Sequence, residues 1–310
     1  NTTVDADTTT SCGGHGEPEC PDAGPGPDPN AYKGFEGGEV RMDARLTRAK
    51  QPDDSIIEVA SSYAYGWFLD DQTPDKLVDP PFGRCVNLRG FQNVAWPQEA
   101  HATRSYLDIG ATLTLTNENG TVVPLAPKAS IDYRFLPYGR IYVREGAEGN
   151  FANTDPALVE AGTSYTVALG NGDTFENTLD LPDQVVTPSG QFADIDGSAS
   201  HLLFLTRGED LTWTYTPSDD GAEVAWMYFV KGDLTAPQQP APDLNSQWFC
   251  SGLNTGEMKI PETVAKQFGD QGYLLMGTQN HYRENYKERN VDVIGATCNF
   301  KPYIFQPAPS

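Results

Sequence analysis

Apolar and polar residues alternate in short runs from about residue 39 to 300, and this period of two predicts β-strands, each with one face on a core. In SYLDIGATLTLTN, Leu107, Ile109, Ala111, Leu113 and Leu115 fall on one side, with Asp108, Thr112, Thr114 and Thr116 on the other. In LTWTYTP, Leu211, Trp213 and Tyr215 alternate with Thr212, Thr214 and Thr216. EVRMDARLTRA, SIIEVASSYAYGWF, RCVNLRGF, TVVPLAP, IDYRFL and TSYTVALG read the same way. Asn119-Gly120 and Gly170-Asn171-Gly172-Asp173 supply hairpin turns, because these residues tolerate positive φ. Only PETVAKQF, residues 261–268, has a helical pattern, opened by Pro261 at a first-turn position.

The strands fall into two series. The first occupies residues 36–182 and predicts an N-terminal β-sandwich. A turn-rich stretch, DQVVTPSGQFADIDGSA (183–199), predicts a linker. The second series, residues 200–305, holds HLLFLTR, LTWTYTP, EVAWMYFVKG, SQWFCSGL, MKIP, YLLMGTQN and VDVIGATCNF. Seven strands in about one hundred residues match an immunoglobulin- or fibronectin-like sandwich. Residues 1–35 have almost no large apolar side chain to offset ordering entropy and read as an acidic low-complexity tether. The expected fold class is all-β, with two consecutive sandwiches behind that tether.

Charge narrows the partners. With 21 Lys and Arg against 43 Asp and Glu, the chain of 310 residues carries a formal net charge of -22. Nucleic acid and anionic membrane surfaces need a basic face that this balance does not supply. No run reaches the roughly 18 apolar residues of a spanning helix, so no transmembrane span is expected. Abundant Thr, Val and Tyr with 30 Gly and 24 Pro support strands and turns over helices. The polar start at Asn1 is what an exported chain shows once its targeting segment is removed.

Five cysteines, Cys12, Cys20, Cys85, Cys250 and Cys298, contain no C-x-x-C spacing and suggest structural disulfides in an oxidising compartment. Cys250 and Cys298 lie in strands of the second series and are expected to pair. Cys12 and Cys20 would close a small loop in the tether. One thiol is then left over, and the sequence does not choose among Cys12, Cys20 and Cys85.

Candidate chemistry is sparse. Between Glu145 and Thr206 stand ten acids and no Lys or Arg, a solvated acidic surface or a source of calcium ligands. The sharpest spot is Asp194-Ile195-Asp196-Gly197, whose alternating carboxylates suit a calcium loop, although the third acid and terminal Glu of an EF-hand are missing. HYRENYKER, at the end of the second series, combines Tyr282, Arg283, Tyr286, Lys287 and Arg289, the composition of a contact tip for protein or glycan. Trp96, beside Pro97, has the loop chemistry to offer a ring to a sugar. His15, His101, His201 and His281 are dispersed, HExxH is missing, and no G-x-S-x-G elbow is present. No catalytic residue is singled out, and calcium is the one ion in view.

The succession RCVNLRGF, SYLDIGATLTLTN, VEAGTSYTVALGNGDTFENTLDLP, GEDLTWTYTP, GEMKIPETVAKQFGDQGYLLMGTQN and VDVIGATCNF resembles the surface lipoproteins of myxobacteria and their marine relatives. The resemblance covers about residues 40–300 and implies export, a lipobox cysteine preceding the tether, and a place at the outer surface. It brings no catalytic residues. The expected function is therefore that of a non-enzymatic exported surface protein with a structural, adhesive or protein-interaction role, meeting a protein, a glycan or its own copies. A calcium-dependent glycan- or protein-binding module is the alternative, and a carbohydrate-active hydrolase comes third.

Overall fold

The structure, a computed structural model, describes residues 37–50, 53, 55–70, 83, 85–87, 106–128, 141–144, 160–196, 202–217, 222–232, 234 and 247–307. The expectations for Cys12, Cys20 and Trp96 fall outside these residues. Within them the chain is nearly all β, as its alternation predicts. The strands are β1 (Gly38–Lys50), β2 (Ile56–Phe68), β3 (Cys85–Asn87), β4 (Leu113–Asn117), β5 (Val122–Lys128), β6 (Ile141–Arg144), β7 (Ser164–Leu169) and β8 (Leu179–Asp180). They continue as β9 (Val186–Ser189), β10 (Leu203–Thr206), β11 (Leu211–Thr216), β12 (Val224–Lys231), β13 (Gln247–Leu253), β14 (Glu257–Ile260), β15 (Gln271–Tyr286) and β16 (Arg289–Gln306). A 3-10 helix spans Ala193–Asp196, and the one α-helix among the described residues, α1 (Glu262–Ala265), lies within the segment read as helical.

Twelve strands follow one another through the main sheet in the order β3-β13-β12-β15-β16-β1-β2-β6-β5-β4-β7-β8, and β10 adds to the far end of β16. A second sheet holds β14-β11-β9. The two expected sandwiches therefore share a sheet: β1, from the first series, runs parallel to β16, from Gly38 beside Val291 to Leu46 beside Asn299. Local alternation carries no information about this pairing, because a strand shows which of its faces is apolar but not which strand lies beside it.

The core is nonetheless divided. One apolar cluster gathers Val40, Met42, Phe68, Leu113, Leu115, Val123, Leu125, Tyr165, Val167 and Leu179 with Tyr286, Val291 and Val293. A second gathers Phe192, Leu203, Leu211, Trp213, Met227, Phe229, Cys250, Leu274, Tyr303 and Phe305, and a smaller third holds Trp226, Leu275, Ala296 and Cys298. The β15–β16 hairpin, with strands of 16 and 18 residues, reaches both larger clusters. Along one face of β16, Val291 and Val293 enter the first core and Tyr303 and Phe305 the second. Between them is a polar seam. Thr297 Oγ1 donates to Asp183 O (3.0 Å), Asn299 Nδ2 to Val185 O (3.0 Å) and Lys301 Nζ to Asp194 O. Gly295 opens this seam, since a Cβ there would stand 2.3 Å from Asp180 O.

The stretch expected to be a linker, residues 183–199, is thus stitched to the middle of β16 over its described part, through Asp183 and Val185 just before β9 and Asp194 in the 3-10 helix. Buried carbonyls need partners, and the side chains of β16 donate to them.

Candidate functional site

The opposite face of the main sheet is apolar around Trp226, Leu275, Ala296 and Cys298 and charged toward the hairpin tip. On β1, Val40, Met42 and Ala44 point into the first core, so Glu39, Arg41 and Asp43 point the other way. The ladder sets Glu39 beside Asp292 on β16 and opposite Trp67 on β2, with Arg41 opposite Tyr65. On the far side of β16, Asp292 faces Arg283 of β15. Four adjacent strands thus bring Glu39, Arg41, Asp43, Tyr65, His281, Arg283 and Asp292 into one row, and Glu39, Asp43 and Asp292 are each at most 4% exposed.

Burial makes pairing obligatory. Asp292 Oδ1 accepts from Arg283 Nε at 2.9 Å and lies 3.0 Å from His281 Nε2. Arg41 Nε donates to both oxygens of Asp43, at 3.1 and 3.2 Å. Tyr65 donates its hydroxyl proton to Glu39 Oε1 at 2.5 Å. Loss of water is the largest influence on Glu39 and pushes its carboxyl up to about 7; Arg41 and the Tyr65 hydrogen bond oppose the rise, and Asp292 and Asp43 add to it. Burial also drives the Tyr65 hydroxyl well above its ordinary value. Burial is the largest single influence on Arg41 and depresses it, but Asp43, Tyr65 and Glu39 together outweigh burial and hold the guanidinium charged.

The tip residues turn inward. Strands β15 and β16 continue to a two-residue turn, Lys287-Glu288, with φ of 51° and 63°. Tyr286 is buried in the first core; its hydroxyl donates to Asp173 Oδ2 (2.9 Å) and accepts from Asn171 Nδ2 (2.8 Å). Tyr282 packs on the same core and donates to Asn177 O at 3.1 Å. Arg283 belongs to the ionic row. Arg289 donates to Asp70 O at 2.5 Å and to Lys287 O at 2.8 Å. Of the five residues expected to form a contact tip, Lys287 alone is exposed. The expectation is corrected: Arg and Tyr are loop-tip composition only if the strands stop, and here they run on, giving each of these side chains an internal partner.

The expected Cys250–Cys298 disulfide is also corrected. Cys250 is bonded to Cys85, 165 residues away, where β3 lies directly beside β13. Cys298 is a buried free thiol whose pKa is pushed up to about 12, first by burial. Of the calcium pair, Asp194 lies in the 3-10 helix with its carbonyl taken by the Lys301 ammonium, and the Asp196 side chain falls outside the described residues. Among the described residues no group of three or more His, Cys, Asp or Glu is placed to hold a metal.

The ionic row left a trace in the sequence. EVRMDAR places Glu39, Arg41, Asp43 and Arg45 at every second position with alternating sign, and Asp292 interrupts VDVIG between two valines. A lone acid between buried valines signals a buried charge, but its partners come from strands remote in sequence.

No family model matches the chain, and no curated protein matches it. Among solved structures it is similar to the Mu homology domain of Fcho1 from Danio rerio with bound Eps15 peptide, at 9% identity over 90% of this chain and 100% of that one, with a TM-score of 0.20. A likeness of that degree carries no argument. No helix among the described residues is long and apolar enough to cross a membrane.

Proposed function

We propose that this chain is a non-enzymatic exported protein of the cell surface, with a structural, adhesive or protein-interaction role. The observation that carries the reading is the Cys85–Cys250 bridge, which ties β3 to β13 across 165 residues and persists only where thiols are not kept reduced. The non-enzymatic part is supported by how the ionisable groups are used. The described cluster richest in acids and bases lies within a sheet, with its side chains turned to one another. The acidic, apolar-poor residues 1–35 suit a spacer between a surface and the folded strands.

Surface labelling of intact cells of the source organism with a membrane-impermeant reagent tests this, together with thiol counting on the extracted protein. The reading expects labelled protein with Cys85 and Cys250 protected from alkylation until reductant is added. A protein recovered only from the cytosol with both thiols free overturns it.

A further inference from the structure

We propose that the ionic row is a proton-operated clasp between β1 and the β15–β16 hairpin, tight while Glu39 carries its proton and weakened once it ionises. The proposal is independent of where the protein resides.

The geometry leaves Glu39 as the odd member of the row. Of its three buried carboxyls, Asp43 takes the Arg41 guanidinium, and Asp292 takes Arg283 with His281 beside it. Glu39 has for its direct hydrogen-bond partner a neutral phenol, Tyr65. Its neighbour across the parallel ladder is Asp292, a second acid at 1% exposure. The titratable and charged groups facing it are Arg41 and Asp43 from β1, Tyr65 from β2, Asp292 from β16, and, beyond Asp292, Arg283 and His281 from β15. When Glu39 ionises, its charge lies beside another carboxylate and must share a guanidinium already committed to Asp43. Protonated, it retains the Tyr65 bond without that repulsion. The affected contact is the β1–β16 ladder, which joins the first strand series to the hairpin.

The sign follows from linkage. A carboxyl raised from 4.5 to about 7 in the folded state contributes stability that is complete below 4.5 and is lost as pH rises through about 7. Urea unfolding of the wild-type protein and of Glu39→Gln from pH 5 to pH 8 measures it. The wild-type folding constant should fall relative to that of the variant by on the order of 50- to 100-fold across this range. Hydrogen exchange corrected for intrinsic rates should show residues 38–46 losing protection before β12. Parallel pH profiles for the two proteins, or equal loss of protection in β1 and β12, overturn the clasp. Should Glu39→Gln fail to fold, a 13C-carboxyl titration of the wild type and of Tyr65→Phe decides: a Glu39 midpoint near 7 that rises when the phenol is removed supports the proposal, and one near 4.5 sinks it.

Discussion

The two ends of the β15–β16 hairpin are held by different chemistry. At its base, Leu274, Met276, Tyr303 and Phe305 pack with Phe229 and Trp213 into the second core, and β13, separated from β15 by β12, is bonded covalently to β3. At its tip, aromatic rings are fixed by their hydroxyls as well as by packing. Tyr286 meets Phe68 edge-on at 6.0 Å while bonding to Asn171 and Asp173, and the other face of the same strands carries the ionic row. Apolar packing depends mainly on area buried, whereas polar anchoring depends on every partner being in place. The base should therefore tolerate changes of shape and fail on loss of its covalent tie, and the tip should respond to pH and to the removal of single atoms.

The largest break is expected at the base. Cys250→Ser, or reduction of the native protein, should cost about 5 kcal/mol in the chain-entropy model for a loop of this length, read as a lower urea midpoint. At the tip, Asp292→Asn should cost about 3 kcal/mol at neutral pH, because the part-buried Arg283 loses the carboxylate it donates to. Tyr286→Phe keeps the ring and removes only the hydroxyl; a loss of about 1 to 2 kcal/mol in the same assay would show that the hydrogen bonds to Asp173 and Asn171 matter. The smallest effect should be a gain. Lys287 and Glu288 both adopt left-handed backbone conformations that Asn and Gly accept more readily, so Lys287→Asn with Glu288→Gly should stabilise by about 1 kcal/mol. If the charge of Lys287, its ammonium 5.0 Å from the Tyr286 ring centroid, held the tip instead, the double variant would lose stability.

How much of this was legible in the chain varies with the range of the interaction. Alternation identified β11 nearly residue by residue, because one face of the strand meets a core and the other does not; of the run read over 105–117, only Leu113–Asn117 is strand, since the chain departs from extended backbone at Gly110 (φ 102°) and leaves Ala111 exposed. The same rule failed at 281–289, where both faces are occupied: Tyr282 and Tyr286 turn to the core, while His281 and Arg283 join the ionic row. Charge at a strand end looks like a loop until the partner acids are known. Glu39 is illegible for the same reason, since nothing near it in sequence shows that Asp292 lies alongside. The cysteines are a related case. Cys298 is the expected mate for Cys250 within one strand series, yet β13 pairs with β3 on its outer side and so presents Cys250 to Cys85.

By itself, the sequence determined that this protein is built of strands, where many of them begin and end, and which side of each is apolar. These properties arise from backbone periodicity and local turn chemistry, which act over a few residues. Only the tertiary structure decided that the two strand series share a sheet, that Cys85 meets Cys250, and that seven polar and charged side chains converge from four strands. Those outcomes depend on pairing between segments far apart along the chain, 165 residues for Cys85 and Cys250 and more than 200 for β1 and β16, where partner choice is set by the packing and hydrogen bonding of the whole rather than by any local pattern.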